Sequence, residues 1–278
     1  MTLERLVAGE GPVTVVLEAG LTASAAAWSG YLPRLADVAR VVAVSRAGYG
    51  GSPAAPGRDA QASVDDLLAV LDELEVTGPL VLVGHSWGGL LCRLVAAQHP
   101  ERVAALVLVD ATHEGFAMMR RRGATTLGAA GMRLSERRAR SGKLRRTLTS
   151  GEGELGELVA SLPESLRAQL LEEICRPATW QQARRDFPAV ARLLRELQRA
   201  PLPAPQVPVV AVVGGRGGRL RQAVVCTYEQ WLGSLPDGRL VIAPRSGHLV
   251  PFEDEDLLVE VVRDVVAQRG AARSGRPG

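Results

Sequence analysis

Cysteine is scarce in this chain. There are three, Cys92, Cys175 and Cys226, far apart, odd in number and without a CxxC pair. That excludes a disulfide scaffold and a cysteine zinc site. No apolar run approaches the ~18 residues of a membrane helix, so no membrane span is expected. Met1–Val15 lacks a basic start followed by an apolar core, so no signal peptide is expected, and a reducing, cytoplasmic setting follows as the default. Lysine is almost absent: Lys143 is the only one beside 32 arginines, a bias attributed to GC-rich coding rather than to anion recognition across the surface. A net charge of +3 is too small to imply nucleic-acid binding. There is no internal repeat.

What remains is an ordinary globular balance, 46% apolar and 23% charged, over 278 residues, a length that fits one large α/β domain. Val13–Leu17, Arg40–Val44, Leu80–Val83 and Leu106–Val109 are short runs, mostly apolar and β-branched. Runs without a polar face are expected of parallel strands covered on both sides. Helical patterns separate them. Ser63 with Asp66 reads as a capping-box-like start to Val64–Leu74, and Leu90–Gln98 reads as a helix ended by His99-Pro100. This alternation predicts an α/β fold: a doubly wound, mostly parallel sheet.

The pattern changes near Ala111. No convincing strand follows until about Ala200, and Glu164–Ile174 and Gln181–Leu197 read as helices. Residues 115–200 hold 17 basic and 9 acidic residues, net +8, with clusters at Arg120–Arg122 and Arg133–Arg146. Prolines 201, 203, 205 and 208 close the segment. Strand signals resume at Val209–Val213 and Leu240–Ala243, and a last helix is expected at about Asp254–Gln268. The reading is a core of residues 1–111 and 206–269, a helical lid inserted at 112–205, and a disordered tail at 270–278.

The strongest chemical signal is Gly84-His85-Ser86-Trp87-Gly88-Gly89. It fits G-x-S-x-G between a strand and a helix, the context in which a sharp turn projects a serine hydroxyl above the sheet edge. The helix that follows aims its positive end at developing negative charge. A serine needs a base. His85 sits inside the turn and His99 at a helix end. His248, in the loop after the last strand, lies at the same sheet edge as Ser86 and is the chosen base. A carboxylate must orient that base. The loop after Val213, Gly214-Gly215-Arg216-Gly217-Gly218-Arg219, has none. Asp110, after Leu106–Val109, is the chosen acid; its plain alternative is a strand-end turn cap, and Glu114 is the reserve. Glu253–Asp256 read as dipole partners at the start of the last helix. The oxyanion donors expected are the N–H groups of Trp87 and of Leu21, after the flexible Gly20.

These pieces resemble the α/β-hydrolase superfamily, of the lidded, single-domain serine kind. The matching stretches are Leu17-Glu18-Ala19-Gly20-Leu21; Arg46-Ala47-Gly48-Tyr49-Gly50-Gly51-Ser52, similar to that family's D-R-x-G-x-G-x-S turn; Gly84–Gly89; Leu108-Val109-Asp110; and Gly247-His248 with Glu253. The order Ser86, Asp110, His248 matches the family's. Three positions depart from it. Ala19 stands where relatives carry histidine, Ser45 where many carry aspartate, and the usual acid site after Val213 is vacant. Some relatives place the acid after the earlier strand, which supports Asp110. Serine at position 86 argues against haloalkane dehalogenase or soluble epoxide hydrolase chemistry, which the resemblance associates with a carboxylate nucleophile.

The resemblance implies a serine hydrolase acting on an ester, thioester, lactone or amide, without cofactor or metal. The rivals are a lyase, cyclase or acyltransferase of specialised metabolism and a small-molecule receptor on the same fold. The partners expected are a small acyl substrate and, because the lid is basic, an acidic carrier protein.

Overall fold

A computed structural model describes residues 1–55, 58–116 and 124–274. Its strands are β1 (Arg5–Ala8), β2 (Thr14–Glu18), β3 (Arg40–Val44), β4 (Leu80–His85), β5 (Val103–Val109), β6 (Val209–Gly214) and β7 (Gly238–Ala243). They form one sheet in the order β1-β3-β2-β4-β5-β6-β7. β1 runs antiparallel to β3, and every other pairing is parallel. The expected α/β fold with a mostly parallel sheet is therefore present. β1 was missed because a four-residue, half-buried edge strand has no continuous apolar run to betray it.

Between β1 and β5 the helices are α1 (Tyr31–Leu35), α2 (Ala60–Glu73) and α3 (Trp87–Gln98). Between β5 and β6 come α4 (Ala124–Arg140), α5 (Lys143–Thr149), α6 (Gly153–Ser161), α7 (Glu164–Ile174) and α8 (Pro177–Arg199). After β6 come α9 (Arg219–Leu232), α10 (Val250–Glu253) and α11 (Glu255–Ser274). Among the described residues no helix is long and apolar enough to cross a membrane.

Alternation along each strand builds two cores. Leu80 and Leu82 of β4 face one side, with Leu67 and Leu71 of α2, Leu90 and Leu91 of α3 and Tyr228 of α9. Val81 and Val83 face the other, with Tyr31 and Leu35 of α1 and Leu258 and Val262 of α11. Both faces are covered, which is why these strands carry no polar alternation.

Three helix ends differ from the sequence reading. α2 begins a turn before Val64, capped by Asp59, whose Oδ1 accepts from Ala62 N at 2.9 Å. Ala60–Ala62 favour helix, so the Ser63–Asp66 pair falls inside it. α3 begins at Trp87 rather than Leu90, because Gly88 and Gly89 serve close packing and do not break the helix. α11 continues through Gly270 to Ser274, so the first five residues of the expected disordered tail are helical. One glycine costs only ~1 kcal/mol in a helix, and alanines follow it. Residues 275–278 and the Arg120–Arg122 cluster lie outside the described residues.

Candidate active site

Ser86 joins β4 to α3 with φ 52° and ψ −120°, a conformation that L-residues rarely adopt. The surroundings enforce it. A Cβ at Gly84 would stand 2.5 Å from Gly89 Cα, and one at Gly88 2.4 Å from the Glu18 carbonyl oxygen. Ser86 N donates to Val109 O at 3.1 Å, and Ser86 O accepts from Thr112 N at 2.8 Å, which ties the turn to the end of β5.

Asp110 follows β5, and its N–H donates to Val212 O of β6 at 2.7 Å. His248 lies in the loop after β7. Its Nδ1 is 2.5 Å from Asp110 Oδ2 and its Nε2 is 3.1 Å from Ser86 Oγ. Three residues from three loops thus form one hydrogen-bonded line at the carboxyl edge of the sheet. Burial alone would push the Asp110 carboxyl up. Hydrogen bonds from His248 and Arg221, with their charges, outweigh it and hold the carboxyl below its usual range.

Several supporting residues were not read from the sequence. Arg221 of α9 pairs with Asp110 Oδ1, which also accepts from Gly214 N at 3.2 Å. The vacant acid site after β6 is thus replaced by groups that hold Asp110 from the other side. Glu253 ends α10 and turns back to the site: Oε2 accepts from Gly247 N at 2.7 Å and Oε1 pairs with Arg216. This corrects its reading as a dipole partner of the last helix, because α10 ends at Glu253 and directs its carboxylate at the His248 loop. His85 is buried beneath His248, with ring centroids 4.9 Å apart. Burial, then the neighbouring His248, lowers its pKa to about 3, so it is neutral. Its Nε2 lies 2.9 Å from the His248 carbonyl, to which it donates.

Glu114, the reserve acid, faces elsewhere. Its two oxygens accept from Arg93 at 2.7 and 2.8 Å. The turn after Asp110 carries it beneath α9, where the Arg93 guanidinium also covers the Trp231 ring at 4.7 Å. Among the described residues the hydrogen bonds and ion pairs of its carboxylate go to Arg93 and His113, not to His248.

The loop after β2 comes within reach of Ser86. A Cβ at Gly20 would be 3.2 Å from Ser86 Cβ. Buried Arg46 grips this loop from behind, donating to Glu18 Oε2 at 2.9 Å and to the carbonyls of Ala19 and Gly20 at 2.6 Å each. The Gly20 carbonyl and the Leu21 N–H belong to one trans peptide and point opposite ways. Holding that carbonyl therefore aims the Leu21 N–H away from Arg46. Trp87 is the first residue of α3, where an N–H has no partner within the helix. Ser45, at the usual aspartate position, donates to Glu4 Oε2 at 2.6 Å, so the carboxylate comes from next to β1 instead.

Two cavities meet at Ser86. The larger, about 790 Å³, is lined by Asp110, Arg216, Arg221 and Glu253 on one side and by Leu158 and Phe187 of the inserted helices on the other. The smaller, about 180 Å³, is mainly apolar and includes Leu21, Trp28, Leu148, Leu170, Glu173 and Phe252.

The sequence profile of the alpha/beta hydrolase family matches residues 15–261. The chain belongs to that family. Among curated relatives, it is 38% identical over 100 residues to Lipase LipV of Mycobacterium tuberculosis, covering 36% of this chain and 38% of that protein. It is 37% identical over 113 residues to 2-hydroxymuconate semialdehyde hydrolase of a Pseudomonas species, covering 40% of this chain and 37% of that protein. The chain thus spans well under half the length of these relatives. An esterase structure from Thermogutta terrifontis superimposes with a TM-score of 0.70 at 22% identity, covering 96% of this chain and 93% of that one. The epoxide hydrolase CorEH does so with 0.70 at 21%, covering 96% and 95%. At these identities the likeness is one of fold.

Proposed function

We propose that this member of the hydrolase family is a serine hydrolase that cleaves an ester, thioester, lactone or amide bond. The observation that carries the reading is the hydrogen-bonded line Ser86–His248–Asp110. Ser86 Oγ attacks the acyl carbon while His248 Nε2 takes its proton. Asp110 orients the ring through Nδ1–H and stabilises the imidazolium. The N–H groups of Leu21 and Trp87 receive the oxyanion. His248 then passes the proton to the leaving group, which departs and leaves the acyl group on Ser86. Water attacks the acyl carbon, with His248 again as base, and the acid is released. The cycle uses protein groups and water only. Residues 1–111 and 206–269 serve as the core, and residues 112–205 as a lid that walls both cavities. The setting is cytoplasmic and the substrate a small acyl compound.

Labelling with a fluorophosphonate and assay against a panel of simple acyl esters test the reading. Wild type is expected to be labelled and to turn over, and Ser86→Ala to do neither. Turnover undiminished in Ser86→Ala would overturn it. Product analysis with alternative acyl acceptors separates a hydrolase from an acyltransferase. An acidic carrier protein is the second candidate partner, motivated by the net +8 of residues 115–200. Steering of this kind makes kcat/KM for an anionic substrate fall steeply from low to moderate salt, while a neutral ester is unaffected. An equal salt response for both leaves the charge as surface composition.

A further inference from the structure

The Asp110 carboxyl is engaged on both sides. Asp110 sits at φ 40°, a left-handed conformation that a residue other than glycine holds only where its surroundings enforce it. An aspartate that merely capped its own turn would accept from a nearby backbone N–H. This one gives both oxygens to distant partners. Oδ2 faces His248 Nδ1, and Oδ1 accepts from Gly214 N and from Arg221 of α9. The Asp110 side chain is 4% exposed and that of Arg221 15%.

Arg221 stands in the first turn of α9, which holds no acidic residue. A cation there opposes the positive end of the helix dipole, so the placement gains nothing within its own helix. Among the described residues its ion pair is with Asp110, and it lines the larger cavity beside Ser86. We propose that Arg221 is a positioning residue of the hydrolysis: it holds the Asp110 carboxyl with Oδ2 toward His248, and its charge keeps His248 an unprotonated base at lower pH than an Asp–His couple without it. The proposal rests on the serine-hydrolase reading. Two effects act together. The bond to Oδ1 stops the carboxyl from rotating away from Nδ1–H. The guanidinium charge offsets part of the carboxylate charge, so the imidazolium is stabilised less and forms only at lower pH. Other titratable groups approach the line from neighbouring elements. His85, at the end of β4, lies under the His248 ring and is neutral. Arg216, after β6, and Glu253, ending α10, pair with each other. Tyr228 of α9 is buried and donates to Ala111 O. Leu158 and Phe187 wall the cavity from the inserted helices without charge. Among the described residues Arg221 is therefore the arginine that touches the acid.

The test compares Arg221→Gln, which can still donate to Oδ1 but carries no charge, with Arg221→Lys, which keeps the charge and loses the fork. Both are assayed with a neutral ester. The acid limb of kcat/KM against pH reports the base of the free enzyme. Arg221→Gln is expected to lower kcat about tenfold with KM nearly unchanged, and to move the acid limb up by about one pH unit. Arg221→Lys is expected to leave the limb near its wild-type position. Arg221→Ala opens a gap onto the larger cavity that a guanidinium ion can enter. Guanidinium at millimolar concentration, far below denaturing levels, is expected to restore kcat several-fold and to return the limb toward wild type. Urea, similar in shape but uncharged, is expected to do neither. An acid limb that stays in place in Arg221→Gln, or a lower melting temperature as the only change, would overturn the proposal and leave the hydrolase reading intact. So would equal rescue by urea and guanidinium. No ester turnover by the wild type, together with no fluorophosphonate label on Ser86, would overturn both.

Discussion

The sheet and the helices inserted between β5 and β6 contribute to the same two cavities on different terms. Ser86, Asp110 and His248 stand after β4, β5 and β7, and the backbone of Ser86 and Asp110 is hydrogen-bonded to the neighbouring strand. Behind them lie two broad cores in which most strand residues are fully buried. Leu148, Leu158, Glu173 and Phe187 reach the cavities from the inserted helices. There the separate core is a small cluster around Leu148, Val159 and Leu171. Ion pairs such as Arg167–Glu164 within α7 and Arg176–Glu172 at its end sit at the surface, where each is worth little. The reacting groups of the proposed function need fixed geometry, and all three stand on the sheet half. The inserted helices, with their smaller core, supply part of the cavity walls.

That contrast is broken most sharply by changes in the sheet half. Ser86→Ala should lower turnover by ~10³-fold or more with thermal stability nearly unchanged, measured by ester hydrolysis and melting. Asp110→Asn should lower kcat by ~10²–10⁴-fold and leave KM nearly unaltered. A similar loss from Glu114→Gln, which alters the Arg93 pair instead, would show that the acid has been wrongly chosen.

Arg46→Lys sharpens the comparison further. A lysine keeps a positive charge beside Glu18 but lacks the fork that holds two carbonyls. With the Gly20–Leu21 peptide less firmly aimed, kcat should fall by ~10–10²-fold, somewhat less than loss of a whole oxyanion donor. KM should change little, and a boronic acid mimicking the tetrahedral intermediate should bind less tightly. A drop in melting temperature with unaltered kcat would limit Arg46 to holding the fold.

The smallest effect concerns pH and stability. Burial lowers the pKa of His85 to about 3, and burial followed by the Arg93 charge lowers that of His113 to about 4. Both lie below the ~6.5 of an unfolded histidine, so the unfolded chain binds more protons between these values. Their contribution is complete above ~6.5 and is lost as pH falls toward 4 and below. Urea midpoints should therefore decline over that range, and His113→Asn should flatten the decline. An unchanged slope would mean that His113 is not held neutral.

Much of the fold was readable because covered parallel strands show as apolar runs wherever they occur. β2, β4, β5 and β6 announce themselves this way, and β1 does not because one edge strand needs no such run. Ser86 is named by six consecutive residues whose glycines answer to contacts within one turn. His248 follows from its place after the last strand. Asp110 was reached by elimination, since a strand-end aspartate looks the same whether it caps a turn or faces a histidine 138 positions away.

The sequence by itself determined the sheet, the serine turn and the order of the candidate residues, because each is written in neighbouring positions and short-range periodicity. Tertiary structure alone decided what surrounds them. Arg221 meets Asp110 across 111 positions, and Arg46 meets Gly20 across 26. Glu253 turns back on Gly247. No local pattern marks such residues. An arginine on an amphipathic helix or a glutamate at a helix end has the composition of a solvated surface. Only the packing of the helices against the sheet removes it from water and gives it a partner.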